Sequence, residues 1–218
     1  MTTLSEVELL EIARRRMVEG QLRLRGIADQ RVLDAMARVP RHEFIPERYR
    51  SEAYEDHPLP IGEGQTISQP YIVALMLEAL AVNATDRVLE VGTGSGYATA
   101  LLAELARQVF SIERHPALAD EARTLLARLG YTNVKMIAGD GSLGFPPCAP
   151  YDAILVSAAA PEVPVALLAQ LQEGGRMMIP VGREDSQQLQ LIRMQHGQPR
   201  ITLRELCRFV PLIPGAAP

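Results

Sequence analysis

Apolar positions in the first part of the chain recur at helical spacing. Leu4, Val7, Leu10 and Ile12 open an amphipathic pattern that continues through Met17 and Val18 to Leu22 or Leu24, with Gly26 as its C-terminal stop. Asp29 is placed to cap a second helix carrying Val32, Leu33, Met36 and Val39 on one face, and Pro40 ends it. Residues 41–66 hold Pro46, Pro58, Pro60, Gly62 and Gly64 and read as an ordered loop. Beyond residue 71 the pattern changes, and helical windows alternate with short Val/Ile/Leu runs. The windows 72–81, 97–106, 116–129 and 164–171 are predicted helices, the run 87–91 is a predicted buried strand, and the runs 108–113, 134–138, 151–156 and 175–181 are predicted strands. Segments 189–194 and 201–209 follow without a helix between them, as an antiparallel pair would. The alternation predicts an α/β fold: a doubly wound, mostly parallel sheet with an antiparallel C-terminal edge pair, plus N-terminal helices. Three regions are expected: 1–70, helices and a cleft loop; 71–212, the sheet domain; and 213–218, a frayed tail.

Composition narrows the function classes. Hydrophobic residues make up 47% and charged residues 22%, as in an ordinary globular protein. Twenty-two Lys and Arg against 26 Asp and Glu leave a net charge of −4, which argues against a polyanionic partner such as nucleic acid. Cys148 and Cys207 are the two cysteines and form no CxxC pair, so neither a zinc site nor a disulfide framework is drawn, and a reducing cytoplasm fits. The opening residues lack the basic and apolar regions of a secretory leader, and the apolar run 72–82 contains Glu78 and is too short to span a bilayer. A soluble cytoplasmic monomer is expected.

The strongest chemical signal is Val88-Leu-Glu-Val-Gly-Thr-Gly-Ser-Gly-Tyr97, between a buried strand and a helix. Glycines there let the backbone turn sharply and let a ligand approach without a Cβ in the way, and the helix N-terminus offers unpaired N–H groups to an anion. A nicotinamide or flavin fingerprint requires Gly or Ala where Tyr97 stands, and no Lys follows to make a phosphate loop. Gly92, Gly94 and Gly96, preceded by Glu90, are similar to the loop of S-adenosylmethionine-dependent methyltransferases. Glu113 ends the next strand, where a carboxylate can accept both hydroxyls of a ribose. Asp140, between Gly139 and Gly141, follows the third strand and can reach an adenine amino group; a simple turn explains Asp-Gly equally well. The three acids fall at consecutive strand ends on one edge of the sheet, where a pocket would form.

Further strings extend the pattern over nearly the whole chain: Met17-Val-Glu-Gly-Gln-Leu22, Arg38-Val-Pro-Arg-His-Glu-Phe-Ile-Pro46, Gln65-Thr-Ile-Ser-Gln-Pro-Tyr71, Gly139-Asp-Gly141, Tyr151-Asp-Ala-Ile-Leu-Val156, Gly174-Gly-Arg-Met-Met-Ile-Pro-Val-Gly182 and Arg208-Phe-Val-Pro-Leu212. With these the chain resembles the protein-L-isoaspartate O-methyltransferases, the Thr-Ile-Ser-Gln-Pro string being the most specific. The resemblance implies a Rossmann-like methyltransferase fold. It also implies methylation of the free carboxylate of L-isoaspartyl, and more weakly D-aspartyl, residues in damaged proteins, with S-adenosylmethionine as donor. It assigns the donor to Glu90, Gly92, Thr93, Gly94, Ser95, Glu113, Asp140 and Gly141. It assigns the peptide to Ile67, Ser68, Gln69, Pro70, Ser157 and Ala158, with Ser68 the active-site serine and no metal. One departure is Ser157-Ala-Ala159, where members often carry Thr-Ala-Gly.

The implied chemistry suits these residues. A carboxylate has an unperturbed pKa near ~4 and needs no general base; it needs aim and a dry approach. The Ser68 hydroxyl can donate to the non-attacking oxygen, or it can cap the helix that follows. No histidine is required: His42, His57, His115 and His196 lack ligand spacing, although His57 could line the site. A nucleic-acid amino-methyltransferase would need an Asn/Asp-Pro-Pro-aromatic turn where Ser157-Ala-Ala-Ala-Pro161 stands. A small-molecule O-methyltransferase would need a base or metal, and a silent cofactor-binding protein would not need the acids and Ser68 intact. Hinge-like Pro60, Gly62 and Gly64 raise closure of the 58–70 loop as a lid.

Overall fold

The computed structural model describes residues 4–183 and 186–215. Its first helix, α1 (Glu6–Arg16), is held by a capping box: the Glu8 amide donates to Ser5 Oγ and the Ser5 amide to Glu8 Oε2. Such a box is worth about 1 kcal/mol. The sequence predicts one amphipathic helix from Leu4 to Leu22 or Leu24 with a core face, and the structure differs. Helix α1 buries no residue; Leu4, Val7 and Leu9 are exposed. The chain widens into a π-helical turn over Met17–Leu22, around the helix-weakening Gly20, and there Met17, Val18 and Leu22 enter the core. A 3₁₀ turn, Arg23–Arg25, leads to Gly26, whose φ of +95° is the left-handed stop the sequence predicts. Helix α2 (Gln30–Arg38) is capped by Asp29 and buries Val32, Leu33 and Met36, as expected.

The segment read as a loop over 41–66 is more regular. It forms 3₁₀ turns at Arg41–Phe44 and Glu47–Glu52 and then an antiparallel hairpin of β1 (Leu59–Gly62) and β2 (Gln65–Ile67). Positive φ at Gly62, Glu63 and Gly64 turns the hairpin. Helix α3 (Pro70–Leu80) follows.

From there the chain alternates as predicted: β3 (Arg87–Val91), α4 (Tyr97–Leu105), β4 (Gln108–Glu113), α5 (Pro116–Arg128), β5 (Val134–Ala138) and β6 (Tyr151–Val156). The helix expected over 164–171 shortens to α6 (Val165–Leu168), because Leu171 already pairs with Tyr151 at the start of β7 (Leu171–Arg183). An irregularity in that pairing carries the exposed residues Gln172 to Gly174, which hide the strand's start from a hydrophobicity pattern. Strands β8 (Ser186–Gln195) and β9 (Gln198–Cys207) are the expected antiparallel pair, joined by His196 and Gly197 at positive φ.

The seven-stranded sheet has the order β5-β4-β3-β6-β7-β8-β9, parallel from β5 to β7 and antiparallel beyond. Alternate residues of β3 divide between two cores: Val88 packs with α2, α3 and α4, while Leu89 and Val91 pack with Ile154, Val156 and Leu167 of α6 on the other face. The first core runs without interruption from Met17 to Leu191, so the N-terminal helices and the sheet share one interior. The chain builds outward from β3 to β5 and returns to the other side of β3 with β6. That reversal opens a crevice beyond the carboxyl end of β3.

Candidate active site

A cleft enclosing about 930 Å³, open mouth included, lies at that reversal. Its floor is the turn after β3. Gly92, Gly94 and Gly96 have φ of +89°, +54° and +89°, a conformation that side-chain-bearing residues rarely adopt. The third glycine has a packing reason, since a Cβ on Gly96 would meet Ala122 of α5 at 3.2 Å. Gly92 and Gly94 line the cleft with Thr93 and Ser95. Helix α4 begins at Gly96 with no side-chain cap, leaving its first amides beside the cleft to an incoming anion.

The acids play different parts. Glu113 lines the cleft, and its two oxygens accept from the amides of Gly94 (2.8 Å) and His115 (2.9 Å). Each oxygen keeps lone-pair capacity for a ligand hydroxyl. Glu90 is fully buried beneath the turn and does not line the cleft. Its Oε2 accepts from Thr99 (2.5 Å) and Ser111 (2.6 Å), whose oxygen in turn accepts from Thr93, while its Oε1 has no partner among the described residues. Burial, aided by the negative charge of Glu113, pushes its carboxyl up to about 7 against the opposing hydroxyls of Ser111 and Thr99. Asp140 stands just behind the wall that Gly141 contributes. Its Oδ1 accepts from the Ser142 amide and hydroxyl and its Oδ2 from the Gly215 amide. Partial burial works against ionisation, yet the Ser142 and Gly215 hydrogen bonds and the charge of Arg114 hold it below the usual carboxylate range. Residues 213–215, assigned to the expected frayed tail, thus reach the site: Ile213 lines the cleft and Gly215 holds Asp140; residues 216–218 lie outside the described residues. Glycine is needed at 141, where a Cβ would sit 2.5 Å from Val91 Cγ1.

Hairpin β1–β2 roofs the cleft. Gln65, Thr66 and Ile67 line it, and Glu63 Oε2 approaches His115 Nδ1 at 3.7 Å. Ser68, just beyond β2, lines this cleft and also a broader outer one. Thr66, Ser157, Val210, Pro211 and Leu212 share that border. Ser68 Oγ has no hydrogen-bond partner among the described residues, and helix α3 has Gln69, not Ser68, at its N-cap. Ala158 faces the inner cleft, Gln69 lines the outer one, and Pro70 is the buried first residue of α3 and lines neither.

The sequence did not single out residues 210–213 as site residues, although Val210-Pro-Leu212 belongs to a recognisable string. They pack back because the Ala159 amide donates to the Val210 carbonyl (2.8 Å) and the Leu212 amide to the Ala159 carbonyl (2.7 Å). Only the folded chain shows that contact. Residues 4–57 line neither cleft, so the outer wall comes from the hairpin, the start of α3 and the C-terminal segment rather than from the N-terminal helices. His57 stays apart, its ring bonding the carbonyl of Pro58, while His115 does line the inner cleft. Cys207 lies in the outer cleft with its thiol pushed up to about 11 by burial, which keeps it protonated and unreactive. Among the described residues no three His, Cys, Asp or Glu side chains are grouped to hold a metal ion. Nor, among them, is any helix long and apolar enough to cross a membrane.

The family model described as Protein-L-isoaspartate(D-aspartate) O-methyltransferase matches residues 13–217. A protein-L-isoaspartate O-methyltransferase of Koribacter versatilis is 60% identical over 200 residues, covering 92% of this chain and 90% of its own. One of Methanoculleus marisnigri is 57% identical over 201 residues, covering 92% and 91%. A crystal structure from Plasmodium falciparum, described as a protein-L-isoaspartate O-methyltransferase in complex with S-adenosyl-L-homocysteine, superposes with a TM-score of 0.81 at 29% identity. That match covers 92% of this chain and 98% of the other.

Proposed function

Since the chain belongs to the protein-L-isoaspartate(D-aspartate) O-methyltransferase family, we propose how its own residues carry out that family's reaction. The protein transfers a methyl group from S-adenosylmethionine to the free carboxylate of isoaspartyl residues in damaged proteins and peptides. A methyl ester and S-adenosylhomocysteine result.

The inner cleft takes the donor. Its glycine turn, the uncapped amides of α4 and the remaining lone pairs of Glu113 match an amino-acid carboxylate at one end and ribose hydroxyls at the other. Gly141 and Asp140 flank the adenine end, and Glu90 sets the turn from below. When bound, S-adenosylmethionine supplies a methyl group on a sulfonium, activated for in-line displacement.

The outer cleft takes the damaged peptide, with Ile67, Ser68, Gln69, Ser157 and Ala158 at or near its border with the inner one. One observation carries this reading: Ser68 faces both spaces, and among the described residues no group bonds its hydroxyl. Donating to one carboxylate oxygen, Ser68 turns the other toward the methyl carbon. The acceptor is already ionised at neutral pH, so alignment replaces base catalysis. Ile67, Val210 and Leu212 keep water from the approach. D-aspartyl residues are weaker substrates of the same cleft. The net charge of −4 and the two free thiols favour a monomer in a reducing cytoplasm, without nucleic-acid or membrane partners.

The test compares methyl transfer to paired peptides differing only in aspartyl or isoaspartyl linkage, with Ser68→Ala alongside the parent enzyme. Ester should form on the isoaspartyl peptide alone, and Ser68→Ala should lower turnover at least tenfold, about 1.4 kcal/mol, with unchanged cofactor affinity. Equal esterification of both peptides would remove the substrate assignment; full turnover by Ser68→Ala would remove the serine's role.

A further inference from the structure

Helix α3 begins with its donors unserved by its own N-cap. Gln69 makes no capping bond and Pro70 has no N–H, so the first free amide is that of Tyr71. The Tyr71 amide donates to Asp56 Oδ1 at 3.1 Å, from a residue fifteen positions earlier. Gln69 Nε2 donates to Asp56 Oδ2 at 2.7 Å. Arg25 pairs with the same Oδ2 and lays its guanidinium over the Tyr71 ring, 3.5 Å from the centroid. Asp56 precedes β1 by three residues, and Gln69 follows β2 by two. One half-buried carboxylate therefore closes the base of the excursion 57–68, which carries the roof of the inner cleft and ends at Ser68.

We infer that Asp56 is a positioning residue for methyl transfer: its carboxylate caps α3 from outside the helix and fixes the Ser68–Gln69 corner that aims the substrate. Asp56 lines neither cleft and touches no reacting atom. Its effect is geometric, and misplacement of an aiming group by about 1 Å can reduce turnover about 100-fold. Arg25, at the end of the first helical stretch, holds Asp56 in turn, which gives the N-terminal segment a part in the site although it lines none of it. This inference rests on the reading of Ser68 as the aiming group.

The experiment measures kcat and KM on an isoaspartyl peptide, per cofactor-binding site counted by calorimetry, so that misfolded protein does not enter the rate. Asp56→Ala should lower kcat about 10- to 100-fold while cofactor Kd stays within about twofold. Asp56→Asn, which keeps an acceptor for the Tyr71 amide, should recover most of the loss. An unchanged kcat in Asp56→Ala, a parallel loss of cofactor affinity, or no recovery in Asp56→Asn would overturn the inference. Ser68→Ala run beside them separates the two readings. Loss in Asp56→Ala without loss in Ser68→Ala removes the hydroxyl's role and leaves the clamp; the reverse removes the clamp alone. Should Asp56→Ala not fold, hydrogen exchange in the parent enzyme decides. The Tyr71 amide should be protected like those within α3, and exchange at the rate of a surface amide would overturn the clamp.

Discussion

The Gly94 amide donates to Glu113 Oε2 at 2.8 Å. A carboxylate at the end of β4 thus holds the second glycine of the turn that follows β3, so the acceptor proposed for the ribose and the cradle proposed for the amino-acid end of the donor are one connected unit. On the proposed placement, replacing Glu113 should affect both ends of the donor.

Glu113→Ala should weaken cofactor binding by about 1.5–3 kcal/mol, the range for hydrogen bonds to a charged group. Glu113→Gln should lose less, since its carbonyl oxygen can still accept from Gly94. Titration calorimetry with S-adenosylhomocysteine measures both. Unaltered affinity in Glu113→Ala would move the ribose to other residues.

Gly94→Val should abolish cofactor binding in a protein that still folds. At φ +54° a β-branched residue is strained, and even a Cβ would press Ile61 Cδ1 at 3.2 Å, pushing the roof from the floor. Gly94→Ala should keep partial affinity. Full affinity in Gly94→Val, measured the same way, would refute the turn as the cradle.

Glu90 makes stability depend on pH. Its folded carboxyl sits at about 7 against an ordinary 4.5, so between these values the folded state holds more protons than the unfolded one. Stability contributed by the neutral form is present at low pH and lost as pH rises toward 7. Glu90→Gln removes that loss. The variant's stability relative to the parent should therefore rise by on the order of 2 kcal/mol from pH 5 to pH 8. Urea denaturation at the two pH values reads it, and a difference that stays constant with pH would contradict the buried acid.

Arg176 joins layers that no local pattern connects. From β7 it donates to the carbonyls of Leu80 and Ala81 (both 2.7 Å) and of Asp152 (3.1 Å), and pairs with buried Asp86. Arg176→Met should cost about 3–5 kcal/mol by leaving Asp86 buried without its cation. Denaturant melts compare it with Asp86→Asn/Arg176→Met, which should recover part of the loss; no recovery would place the cost in the lost carbonyl bonds instead.

How far the chain could be read beforehand varied with how locally each element is determined. Strands β3, β4 and β6 stand where their apolar runs predict, because a strand covered on both faces must be apolar along its length, and the edge strand β5 stands at its expected place although it is only half-buried. Helix α2 and the stop at Gly26 were equally plain, since caps are written in adjacent residues. Helix α1 misled: its spacing is amphipathic, yet it buries no residue fully and only Leu10 and Ala13 pack, partly buried, against the core. Hairpin β1–β2 was hidden because its strands are only four and three residues long and the first carries Pro60 and Gly62. In the site, Gly92, Gly94, Glu113 and Ser68 were legible as motif residues. Glu90 was legible too, but as a ligand residue rather than as the buried support it is.

The sequence by itself determined the order of strands and helices, the glycine turn and the acids at successive strand ends, because spacing, capping and backbone freedom act over a few residues. Tertiary structure alone decided what meets across the site. It brought residues 210–212 from the C-terminal segment against Ala159, Asp56 under the Ser68 corner, and Glu113 onto Gly94. Those contacts join residues far apart in the chain, and their energy exists only once the sheet has set the distances between them.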